Sequence, residues 1–118
     1  MKHVKFIVPI YNSPVWVASD KHEAARLAAV KCGFFEDPET GFNMNGAVFY
    51  GNDANIIWLP SGVSFGTVAH EVAHCVLNIH HTRGIEIDTR NPEPFTYLTG
   101  YIMDKTCASL HKLGVYFG

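Results

Sequence analysis

The pentapeptide His70-Glu71-Val72-Ala73-His74, an HExxH sequence, limits what this chain can fold into more than any other stretch. It lies in a segment that reads as a helix. Two histidines four apart on a helix are separated by about 40° around the axis and about 6 Å along it, so both imidazoles reach one tetrahedral metal from the same face. Glu71 is rotated from His70 by about 100° and flanks such a metal without ligating it, where a carboxylate can take a proton from metal-bound water. The bland alternative is a chance arrangement, which seven histidines in 118 residues make less rare. The helical context favours the zinc reading, with His70 and His74 as ligands and Glu71 as general base.

A catalytic zinc needs a third protein ligand and an open position for water. His80 stands at the spacing of the third histidine in metzincins, but that pattern has a glycine three residues after the second histidine, where the helix breaks. Here Leu77 continues the helix, and His80 is expected to point elsewhere, a polar residue with His81 at the fraying end before Arg83-Gly84. Glu93 is the stronger candidate. Asn91 suits a helix N-cap and Pro92 the first helical position, so Glu93 opens a second helix that segment 82–90 can lay against the first. An acidic residue in a first helical turn also complements the dipole with no metal present. Spacing alone leaves that reading open, with Glu86, Asp88 and Asp104 as rival ligands.

HExxH followed by eighteen residues and a glutamate resembles the gluzincins, the group of zinc peptidases that includes thermolysin-like enzymes and zinc aminopeptidases. The matching residues are His70, Glu71, His74 and Glu93. A narrower resemblance, over residues 45–105, is to small zincin-like proteins of tailed bacteriophages, which carry a segment similar to Asn91-Pro92-Glu93-Pro94-Phe95-Thr96-Tyr97-Leu98. The chain lacks the extensions and second domain of the larger gluzincins. The resemblance implies Zn²⁺ held by His70, His74 and Glu93. It implies a metallopeptidase acting on a peptide or protein substrate, a host protein among the candidates, in the host cytoplasm. Tyr97, one turn beyond Glu93, is the first candidate for steadying an oxyanion, with Tyr101 and His111 behind it; a tyrosine at this spacing also suits simple packing. The alternative is a zinc-binding interaction protein that recognises its target without cleavage, a reading against which the intact Glu71 argues.

Length allows one domain over residues 1–118. A net charge of −2 with scattered basic residues gives no electrostatic case for nucleic acid or an anionic membrane. No stretch has the length of a membrane span, and Met1 to Ile10, broken by Pro9, reads as a strand and not a signal peptide. Cys32, Cys75 and Cys107 form no CxxC and cannot all pair within the chain, so reduced thiols are expected, with Cys75 packing and not coordinating.

The element order predicted is strand, helix, hairpin, metal helix, ligand helix: an α+β, minimal zincin-like fold with a small twisted sheet. Val4–Ile10 and Val15–Ala18 suggest one or two strands around a turn, and Lys21–Val30 a helix, with Asp20 and Glu23 resembling a capping box and Gly33 its stop. Phe34–Asn45 reads as a loop. Residues 47–50 and 55–59 form a hairpin around Gly51-Asn52-Asp53-Ala54, and Ser64 caps an active-site helix from Phe65 to Ile79. The 47–50 strand is the expected sheet edge beside the cleft, where an extended peptide can add.

Overall fold

A computed structural model describes all residues, Met1–Gly118. Strands β1 (Val4–Val8), β2 (Ser13–Ala18), β3 (Ala47–Gly51) and β4 (Ala54–Trp58) form one mixed sheet in the order β1-β2-β4-β3. Both hairpins are antiparallel, while β2 and β4 run parallel at the centre. Helix α1 (Lys21–Leu27) lies on one face; α2 (Phe65–Arg83) and α3 (Glu93–Lys112) cover the other. The fold is therefore α+β, as expected.

Strand alternation sorts the core. Val15, Val17 and Ile57 face α2 and α3 and pack with Val68, Val72, Val76, Ile79, Leu98, Ile102 and Leu110. Their neighbours Trp16, Ala18, Ile56 and Trp58 face α1 and pack with Ala24, Leu27 and Ala28. The central strands are buried on both faces, which explains their nearly continuous apolar sequences. Asn52 and Asp53 both adopt positive φ (49° and 62°), the mirror-image turn whose twist matches a two-residue hairpin. No helix is long and apolar enough to cross a membrane.

Several boundaries differ from the sequence reading. Helix α1 passes into a π-helical turn, Ala28–Cys32, and stops at left-handed Gly33. Asp20 caps it by accepting from the His22 amide, but no capping box forms: Glu23 instead accepts both guanidinium bonds of Arg26 at 2.8 Å. Helix α2 runs unbroken past Ile79 to Arg83, and left-handed Gly84 ends it. His80 is not a frayed polar end. It is 3 % exposed, and its Nδ1 lies 3.1 Å from the Ile85 carbonyl. A carbonyl only accepts, so Nδ1 carries a proton, and Nε2 is buried without a partner. Pro92, not Asn91, holds the cap position of α3, with no side-chain capping bond. All three cysteines are free thiols.

Candidate metal centre

Ser64 starts the helix that carries the site, its hydroxyl accepting from the Thr67 amide. From that start the helical phase is set by burial. Val68, Val72, Val76 and Ile79 point to the core, which turns His70 and His74 outward and leaves Glu71 on the flank facing β3. The two imidazoles stand edge to face with centroids 4.9 Å apart. The ligand atoms offered by His70, Glu71 and His74 all lie within 4.8 Å of one another, with the histidines exposed and the glutamate buried between helix and strand.

Two nitrogens on one tetrahedral zinc are about 3.3 Å apart, so small side-chain rotations bring both imidazoles onto one ion. The donor set, two imidazole nitrogens and a carboxylate oxygen, suits a borderline divalent metal. The group can therefore hold a metal ion.

The glutamate is placed by a backbone approach that sequence reading overlooked. Gly46, immediately before β3, passes over Glu71. A Cβ there would sit 3.1 Å from the Glu71 Cγ, 3.0 Å from Leu59 Cδ2 and 3.2 Å from Thr67 Cγ2. A larger residue would have to push these side chains aside by a few tenths of an ångström, so the glycine lets the strand pass close over the Glu71 side chain. The signal was available: a glycine at the mouth of an otherwise apolar strand marks close backbone approach. β3 is an edge strand, as expected, and the cleft beneath its mouth measures about 500 Å³, with His70, Glu71 and Thr67 in its wall.

Glu93 does not join this group. It is the first residue of α3 and is exposed. His80 packs against Phe95 at 5.9 Å between ring centroids, which sets the start of α3 beside the last turns of α2. His80 is six residues beyond His74, about 9 Å along the axis. Glu86, Asp88 and Asp104 are likewise exposed and outside the group. Tyr97, 42 % exposed, stacks on Tyr101 at 6.1 Å, and Tyr101 meets Phe6 of β1. That aromatic row faces the β1 edge of the sheet, opposite the β3 edge above Glu71. His111 is exposed near the end of α3.

Burial governs the thiols. It pushes Cys75 up to about 12 and Cys32 up to about 11, and neither thiol joins the His70–Glu71–His74 group. Cys75, although adjacent to His74 in sequence, packs inside the core. Comparison of the chain with protein-family models, with curated proteins and with solved structures gives no match.

Proposed function

We propose that this chain is a zinc-dependent hydrolase of the metallopeptidase type on a minimal zincin-like fold. The observation that carries the reading is the joint placement of His70, Glu71 and His74 at the mouth of an edge strand, with the glutamate shielded and the imidazoles open to solvent. The HExxH spacing and its resemblance to gluzincins support the same conclusion.

His70 and His74 hold the metal. Zinc, when bound, polarises a scissile carbonyl and makes coordinated water acidic enough to attack at neutral pH. Glu71 accepts the proton from the attacking water on its carboxylate and delivers it to the departing amine, a transfer that needs no change of position. Gly46 keeps the strand close enough to hold Glu71 in that orientation. The free outer edge of β3 offers unpaired backbone groups to an extended peptide, which would keep the scissile bond near Glu71. Glu93 is the assigned third ligand. Its carboxylate enters none of the ion pairs of the chain, and because it lies outside the His70–Glu71–His74 group, joining the metal requires the start of α3 to move toward it. The reading places no weight on Tyr97.

The test pairs metal content with turnover. Purified protein is expected to carry about one zinc per chain, lost in the His70→Ala, His74→Ala double variant. Glu71→Gln should keep the zinc and the fold while cleavage of a peptide library falls about 100-fold or more. Wild-type zinc content in the double variant sinks the metal assignment. Zinc binding with no cleavage of any peptide replaces the hydrolase by the non-catalytic interaction protein.

A further inference from the structure

The cleft at His70 and Glu71 does not stop at the metal group. It continues into a second recess of about 350 Å³ beyond the first turn of α2, and the two share Met44, Asn45, Ser64 and Thr67 in their walls. Together they form one groove, roofed by the chain entering β3 and floored by the start of α2. From His70 back to Ser64 is about 9 Å along the helix, and the recess past Ser64 extends this toward Pro60. An extended peptide advances about 3.3 Å per residue, so the groove takes about three residues.

Its direction follows from register. Gly46 lies over Glu71, while Tyr50 at the other end of β3 pairs with Asn55, whose side chain accepts from Asn78. Strand β3 therefore runs alongside α2 in the same sense. A peptide added to the free edge of β3 in the more stable antiparallel mode runs the opposite way, past His74, then Glu71, then the first turn of α2. The residues following the scissile bond fall in the groove.

The walls of that stretch are polar and small. Asn45, Ser61, Ser64 and Thr67 supply hydroxyl and amide groups, Gly62 and Gly66 supply no side chain, and the apolar wall is Met44 at both recesses with Pro60 and Val63 at the second. A leucine placed here would dehydrate those hydroxyl and amide groups without replacing their hydrogen bonds. We infer that the groove selects substrates whose two or three residues after the scissile bond are small and polar, serine, threonine or asparagine, over those with bulky apolar side chains. The inference rests on the metallopeptidase reading and adds the substrate class.

Binding tests it without requiring turnover. Two tripeptides, Ser-Thr-Ser and Leu-Leu-Leu, each carry the same hydroxamate zinc anchor at the amino end and are titrated into the zinc-loaded protein, with acetohydroxamate as the anchor alone. The serine-threonine peptide is expected to bind about tenfold more tightly, with amide shift changes at Asn45, Gly46 and Thr67 in the NMR spectrum. Asn45→Leu, at an exposed position outside regular structure, adds apolar wall and should reduce the preference to about threefold. Equal or tighter binding of the leucine peptide overturns the inference, as do shifts confined to residues away from the groove. If acetohydroxamate itself fails to bind in a His70-dependent manner, the metal reading falls. If the anchor binds and neither peptide improves on it, the groove assignment alone falls.

Discussion

Glu23 and Glu71 are both buried carboxylates, 5 % and 7 % exposed, and their surroundings assign them opposite tasks. Glu23 is saturated: Arg26 grips both oxygens at 2.8 Å, and the His3 ring stands 2.6 Å away. The Arg26 guanidinium outweighs the burial that would raise the group and holds it at about 2, against an ordinary value of 4.5. Glu71 enters no ion pair and faces the cleft beside two imidazoles. The oxygens of Glu71 are left for the cleft, whereas both oxygens of Glu23 are taken up by Arg26. The saturated pair has a measurable signature. Because its folded value is depressed, Glu23 stabilises the fold fully above pH 4.5 and loses that contribution as pH falls from about 4.5 to about 2. With the half-exposed guanidinium discounted, Glu23→Gln should lower unfolding free energy by about 1 to 2 kcal/mol at pH 7. Urea titrations of both proteins should converge near pH 2. A deficit constant across that range would assign the effect to packing.

At the scale of elements, what the sequence revealed and what it concealed divide along periodicity. The strands, the mirror-image turn at Asn52-Asp53 and the apolar face of α2 follow from patterns of two and 3.6 residues, and they lie where those patterns put them. The His–Glu–His group was legible for the same reason, since a helix fixes the geometry of i, i+1 and i+4. The end of α2 was not. His80-His81-Thr82-Arg83 looks like a polar terminus, yet His80 turns inward because the Ile85 carbonyl and the Phe95 ring enclose it, contacts made by residues outside the helix. His80 in this last stretch packs against Phe95 of the first turn of α3, the turn that Glu93 opens. Ligand choice therefore tests element placement. His80→Asn, which keeps a donor for Ile85, should leave zinc affinity unchanged. Glu93→Ala should weaken zinc, measured against a competing chelator, by more than the about 10- to 100-fold that loss of an outer-shell partner costs. In wild type, zinc should also slow tryptic cleavage after Arg90, in the exposed segment just before α3, and in Glu93→Ala it should not. A large loss for His80→Asn with none for Glu93→Ala would transfer the ligand role to His80.

The whole molecule is tied together at the end remote from the groove, by Arg83. This last residue of α2 donates from Nε to the Tyr11 carbonyl at 2.8 Å and from both terminal nitrogens to the Asp53 carboxylate at 2.7 and 2.8 Å. One guanidinium thus joins the β1–β2 turn, the β3–β4 turn and the end of the helix bearing the metal group. The turns it grips hold four left-handed residues that are not glycine, Ile10, Asn12, Asn52 and Asp53, conformations that persist where surrounding contacts hold them. Because α2 is fixed against both hairpins at Arg83 and crossed by Gly46 at Glu71, His74 between those points and His70 one residue before Glu71 have little freedom to drift from the strand above them. Lysine at position 83 keeps the charge but cannot form the fork and reach the Tyr11 carbonyl together. Arg83→Lys should therefore lower unfolding free energy by about 1 to 3 kcal/mol. Asp53→Asn, which leaves the bonds to the first turn intact, should cost less. Because the clasp joins both turns, hydrogen exchange in Arg83→Lys should accelerate at both turns together and extend to β3 above Glu71. Acceleration confined to the β3–β4 turn would show that the clasp acts on one hairpin only.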